Sequence, residues 1–305
     1  MQKYWNQYSE SRFQALTSLN KSEFASLLAE FQPIVENYFR IHTFTGAIRR
    51  RNMYREQSNS SLLGAEYKLF FTLYYLKNNS LQESIGAFFN ICQGKVSMWT
   101  KQLLPLAQEA IGKLGLLPIQ DADVFYRLLT SIEADPILYQ DATVRPIERS
   151  TDWQVQNEFY DGKHKKHTVK NHIVCGEDSH VLYTSPLYEG KIHDKQLITE
   201  ERLRFPENVV LLQDTGYQGF ETEATVFMPK KKPKGKELSG LDKTLNHIIS
   251  SIRVKVEHVI GGIKIIRMVK EKIRLKTENT KQMVFIIAVG LHNLRKKYRK
   301  IIHQS

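Results

Sequence analysis

Cysteine is nearly absent from this chain. Cys92 and Cys175 are the only two, far apart in sequence, and they provide neither a disulfide framework nor a zinc-ligand spacing. A reducing compartment is therefore expected. The first twenty residues contain no apolar core of the kind a secretory signal requires, so no signal peptide is expected. Long apolar runs are missing as well. The longest, residues 283–291, is too short to cross a bilayer, which excludes a membrane-spanning role. Acidic residues are outnumbered, 32 Asp and Glu against 44 Lys and Arg, giving a net charge of +12. That surplus suits a polyanionic partner such as nucleic acid, and equally suits a merely soluble basic protein. Apolar residues make up 41% of the 305, enough for real cores in about two domains.

The first half reads as helical. Phe24, Leu27, Leu28, Phe31, Ile34, Val35 and Phe39 recur at helical spacing over residues 21–40. A basic stretch with Arg49, Arg50, Arg51 and Arg55 follows, either a phosphate-binding loop or a solvated one. Residues 67–76 form an apolar helix. A short helix over 81–89, a turn at 90–93 and a second helix over 94–104 suggest a helix-turn-helix at about 81–104. In that arrangement Gln93, Lys95, Ser97, Met98 and Lys101 face a DNA major groove, and Val96, Trp99 and Leu103 face the core. Plain helix packing is the alternative. The helical DNA-binding domain is expected to occupy residues 1–130, with 121–131 bridging to a second domain over 131–305.

The second half changes character. Ile137-Leu138-Tyr139-Gln140-Asp141-Ala142-Thr143-Val144 reads as a buried strand with a carboxylate in its middle, which is unfavourable unless the charge is paired. Asp214 ends another apolar strand, Val209 to Gln213, before a Gly216-Tyr217-Gln218-Gly219 turn. Asp161-Gly162 signals a hairpin between extended segments. Strands are expected over 166–175, 180–188 and 224–228, and a helix from His193-Asp194 to about Arg204. A mixed sheet flanked by helices follows from that order. Lys163, Lys165 and Lys166 lie just after the Asp-Gly turn. Lys230, Lys231, Lys232 and Lys234 form a basic loop that either clamps a phosphodiester backbone or is simply solvated.

The helix expected over 244–264 carries one apolar stripe: Leu245, Ile248, Ile249, Ile252, Val256, Val259, Ile260 and Ile263. Beside it runs a polar stripe with Arg253, Glu257 and Lys264. Alone, Arg253 and Glu257 read as an intrahelical ion pair on a solvated face. Taken with Asp141 and Asp214, they read as a catalytic edge. Three acids on three elements suit a hard divalent cation. The apolar C-terminal helix, residues 278–300, is expected to be core rather than interface.

Asp141, Asp214 with its Thr-Gly-Tyr-Gln-Gly turn, and Arg253-x-x-x-Glu257 followed by Lys264 resemble the D-D-E signature of insertion-sequence transposases. The resemblance is to the bacterial family numbered five, whose eukaryotic relatives are the Harbinger-type elements. Tyr160-Asp161-Gly162-Lys163, His167-Thr168-Val169-Lys170 and Gly190-x-x-His193-Asp194 are similar to further segments of that family, and the helical half is similar to its helix-turn-helix domain. The wider group has a Tyr three residues before the Arg, where this chain has Ser250.

The resemblance implies an α+β, mixed α/β chain: an all-helical helix-turn-helix domain, then a ribonuclease-H-like catalytic domain. The short Asp214–Glu257 interval leaves no room for an insertion domain. It implies Asp141, Asp214 and Glu257 as catalytic metal ligands for two Mg²⁺ ions about 4 Å apart, Mn²⁺ substituting. Arg253, Lys264 and His193 would support them. Asp194 would be a fourth ligand or simply a helix N-terminal charge. The implied activity is cleavage at the element's ends and joining of the freed 3′-OH to target DNA, without a covalent protein intermediate. The implied partners are double-stranded DNA, both terminal inverted repeats and target, and further copies of the chain in a synaptic homo-oligomer. The implied location is the prokaryotic cytoplasm, at the nucleoid. A domesticated metal-dependent endonuclease, and a DNA-binding protein with a decayed nuclease domain, are the alternatives.

Overall fold

A computed structural model describes residues 4–50, 56, 60, 62–233, 235 and 237–304. Arg51, Arg55 and Lys234 lie outside the described residues. The chain forms two compact units. One comprises residues 1–117, 264–271 and 279–305, the other 118–263 and 272–278. Compactness thus divides the chain near residue 118 and groups most of the C-terminal helix with the first unit, whereas the sequence suggested an uninterrupted second domain from 131.

The first unit is helical: α1 (Glu10–Thr17), α2 (Lys21–Ile41), α3 (Gly64–Asn78), α4 (Gln82–Phe89) and α5 (Gln93–Lys113). Asn20 starts α2 with a reciprocal cap, its side chain accepting from the Glu23 N–H while Glu23 accepts from the Asn20 N–H. Asn90 ends α4 in the left-handed conformation. Gly86 permits the tight turn that follows, since a Cβ there would stand 2.5 Å from the Ile91 carbonyl oxygen. Along α5, Val96, Trp99 and Leu103 are buried and Gln93, Lys95 and Lys101 are exposed, while Ser97 is half-buried.

The second unit opens with α6 (Ala122–Thr130), a capped amphipathic helix where the sequence suggested only a bridge. Then come β1 (Ile137–Pro146), α7 (Trp153–Phe159), β2 (Tyr160–Asp161), β3 (Lys166–Gly176), β4 (Val181–Thr184), β5 (Tyr188–Glu189), α8 (Asp194–Glu201), β6 (Val210–Leu212), β7 (Thr225–Phe227) and α9 (Gly240–Ile263). The strand expected over 180–188 is two short ones, β4 and β5, each paired with β3. The sheet runs β2-β3-β1-β6-β7. β1 is antiparallel to β3 and parallel to β6, and β6 is parallel to β7. Phe125, Leu138, Val174, Tyr183, Ile198 and Leu211 share one core.

The short α10 (Arg267–Lys270) belongs to the first unit, as does most of α11 (Glu278–Gln304). Phe285, Ile286, Ile287, Val289, Leu291 and Leu294 of α11 are buried, as its apolar run implied.

The stripe of α9 needs correction. Val256, Val259 and Ile263 are buried, but Leu245, Ile248 and Ile252 are exposed, and Leu241 is 70% exposed. Periodicity fixes which residues share a helix face, not how far along the helix a partner covers that face.

Candidate active site

Side chains alternate across β1. Leu138 and Gln140 point into the shared core with Val174, while Tyr139 and Asp141 point to the other face. α9 covers that other face, with Lys255 Nζ 5.5 Å from the centre of the Tyr139 ring. Asp141 is half-buried there, and its Oδ1 accepts from the Ala142 N–H at 2.7 Å.

Asp214 stands just past β6, the parallel neighbour of β1. It starts a 3₁₀ turn over Thr215–Tyr217, with Oδ1 accepting from the Thr215 N–H at 2.7 Å. The Arg253 guanidinium of α9 faces it, Nη1 lying 3.5 Å from Asp214 Oδ1. Arg253 itself is only 9% exposed, although it sits on the polar stripe of its helix.

Asp194 is the first residue of α8 and also reaches this cluster. Lys170 Nζ donates to Asp194 Oδ1 at 3.0 Å and to the Ile192 carbonyl at 2.7 Å. A Cβ at Gly216 would lie 2.7 Å from Asp194 Oδ2, so a larger residue there would push the Asp194 carboxylate from its present place. Asp194 carries helix N-terminal charge and stands beside the other two aspartates.

Electrostatics ties the three together. Burial pushes the Asp141 carboxyl up to about 6. The Ala142 N–H and Arg253 oppose that rise, and Asp214 and Asp194 add to it. The carboxylates therefore repel one another, with Arg253 as the cation set among them.

The other expected residues stand as follows. Glu257 is exposed one turn beyond Arg253 and makes no hydrogen bond or ion pair among the described residues. Lys264 follows the last residue of α9 and falls in the first compact unit. His193 is exposed, and its side chain makes no capping bond. Lys163, Lys165 and Lys166 are all exposed around the β2–β3 turn. In the other basic loop, Lys230 pairs with Asp242 and Lys232 with Glu237, while Lys231 is exposed. Arg49, in the basic stretch read as either a phosphate-binding or a solvated loop, donates from Nε to the Phe39 and His42 carbonyls, both at 2.8 Å.

Among the described residues, no three His, Cys, Asp or Glu side chains are gathered tightly enough to enclose an ion. The donor set nonetheless fits a hard divalent cation. It is all carboxylate, the aspartates are only partly buried, and their mutual repulsion is what such a cation would relieve. Lys170, part of the family-like segment 167–170, was given no role from sequence, although a lysine inside an otherwise buried strand is a signal for a paired acid.

The DDE superfamily endonuclease family matches residues 140–293, a span that holds Asp141, Asp194, Asp214, Arg253 and Glu257. A curated relative, "Probable transposase for insertion sequence element IS702" from Microchaete diplosiphon, is 31% identical over 148 residues. That alignment takes in 48% of this chain and 53% of the relative, so the chain spans about half of the relative's length. No solved structure matches. No helix among the described residues is long and apolar enough to cross a membrane.

Proposed function

The chain belongs to the DDE superfamily endonuclease family, and from that premise we propose that it is a metal-dependent DNA transposase. It cuts the ends of an insertion sequence and joins the 3′-OH ends to target DNA. The observation that carries the reading is the convergence of Asp141, Asp194 and Asp214 with Arg253, on neighbouring parallel strands and the two flanking helices. The sheet order supports a ribonuclease-H-like fold, with three antiparallel strands, β4, β3 and β1, continued by the parallel β6 and β7.

In this reading Asp141 and Asp214 hold Mg²⁺, with Mn²⁺ as substitute. Glu257 would be the third ligand, and Asp194 is the supporting acid. Bound Mg²⁺ supplies Lewis acidity for the attacking oxygen and the departing 3′ oxygen. Arg253 orients Asp214 and tempers the repulsion among the acids. Lys170 fixes Asp194 by holding one of its oxygens. No serine, cysteine or tyrosine nucleophile is required.

The likeness to family five and its Harbinger-type relatives belongs to the same proposal. So do α4 and α5 as a helix-turn-helix, with Gln93, Lys95, Ser97 and Lys101 on the DNA. Lys163, Lys165, Lys166 and Lys231 are placed on phosphates. Terminal repeats and target DNA are the partners, in a homo-oligomeric synapse at the nucleoid.

The test is strand cleavage of donor DNA carrying the gene's natural flanks, with Mg²⁺ or Mn²⁺, beside Asp141→Asn. Metal-dependent cuts at the ends, lost in the variant, are expected. Clean end binding without cutting would leave only a DNA-binding protein.

A further inference from the structure

Behind the acid cluster, on the opposite face of the sheet, lies a buried polar chain that the proposed chemistry does not use. Gln140 and Gln213 are fully buried. They stand one position beyond Tyr139 and Leu212, the last paired residues of the parallel β1–β6 ladder. Gln140 Nε2 donates to Gln213 Oε1 across the two strands. Each glutamine immediately precedes an aspartate of the cluster, Asp141 and Asp214 respectively. The chain continues outward. His172 Nε2 donates to Gln140 Oε1 at 3.2 Å, and His172 Nδ1 lies 3.5 Å from Glu201 Oε2 without a hydrogen bond. Tyr183 OH donates to the same Glu201 oxygen at 2.9 Å. The side chains of His172 and Glu201 are 0% and 1% exposed.

Apolar residues would fill this space with less desolvation, and the rest of this core is apolar. A buried, directional amide contact does what apolar packing does not: it fixes the register and separation of two strands at one point. That point is one residue from each of the two aspartates. We propose that Gln140 and Gln213 are positioning residues, setting the spacing of Asp141 and Asp214 at which the pair takes a divalent cation, with His172 fixing the orientation of Gln140. The inference rests on the nuclease reading above, because it assigns those two aspartates to the cation.

The experiment uses the full chain and two variants, Gln213→Met and Gln140→Met/Gln213→Met. Two quantities are read: the Mg²⁺ or Mn²⁺ concentration that half-saturates the rise in melting temperature, and the one that half-saturates cleavage. Loss of a group supporting metal ligands weakens metal binding by about 10- to 100-fold. Gln213→Met is expected to lower the metal-free melting temperature, because Gln140 keeps a buried donor without its acceptor. It should also raise both metal midpoints about tenfold. The double variant removes that orphaned donor but also takes the acceptor from His172, so its melting temperature is expected to recover in part while its metal midpoints stay raised. Recovery of stability and metal response together would overturn the positioning role. If the single variant does not fold, the double variant alone decides. Asp141→Asn runs in parallel. If it kept the metal response and cleavage, the nuclease reading itself would fall. If it lost both while the double variant matched wild type, only the positioning role would fall.

Discussion

Arg253 turns its guanidinium toward Asp214, 3.5 Å away, while Glu257, one turn along the same helix, faces outward. The two residues, which taken alone read as an intrahelical pair and with Asp141 and Asp214 as a catalytic edge, are thus separated in position. The arginine is buried against the acid cluster and the glutamate remains free to approach it. This arrangement leads to a direct comparison of the acids.

Asp141→Asn, Asp214→Asn and Glu257→Gln are each expected to reduce strand cleavage to background while end binding is retained. Asp194→Asn is expected to leave partial activity, because Asp194 is tied to Lys170 rather than free to bridge. Cleavage and gel-shift assays on the same preparations decide. Full activity in Glu257→Gln with none in Asp194→Asn would exchange the roles of those two residues.

The Asp141 carboxyl gives a pH dependence to the protein kept in chelator. Its pKa is about 6 in the folded chain against 3.8 for the ordinary group. Between those values the folded state holds more protons than the unfolded one, so stability falls as pH rises from about 4 to about 6. The loss from this group is at most about 3 kcal/mol, at 1.36 kcal/mol per unit. Asp141→Asn is expected to flatten that slope and to be more stable than wild type at pH 7. Urea unfolding at several pH values measures it, and a slope unchanged by the substitution would place its source elsewhere.

Lys95→Ala and Lys101→Ala on the exposed side of α5 are expected to weaken end binding. Each should flatten its salt dependence by about one unit of log K against log salt. Affinity measured over a range of salt concentrations reads both effects. Unchanged affinity would leave α5 as packing only.

Gly86→Ala should destabilise the α4–α5 turn by about 1–3 kcal/mol, since its Cβ would press on the Ile91 carbonyl. Thermal unfolding measures this, and the same variant should weaken DNA binding if the turn presents α5.

The sequence by itself determined most of the elements, though not α6, α7 or the break between β4 and β5. An apolar, β-branched run placed Asp141 in a strand, a glycine-rich turn placed Asp214 at a strand end, and a 3.6-residue period placed Arg253 and Glu257 on one helix. These are local properties, set by backbone geometry and side-chain spacing over a few residues. The motif order carried the family for the same reason. Only the tertiary structure decided which charges meet. Asp194 joins the aspartates because Gly216 lets its turn close on α8. Lys170 reaches Asp194 because β5 pairs with β3 at Lys170 and leads directly to α8. Gln140 meets Gln213 because β1 and β6 pair in parallel at one register. The exposed first half of the α9 stripe was hidden from sequence because the period describes the helix and not the length of the surface that covers it. Convergence and coverage both depend on pairings between residues far apart in the chain, and a local pattern does not encode them.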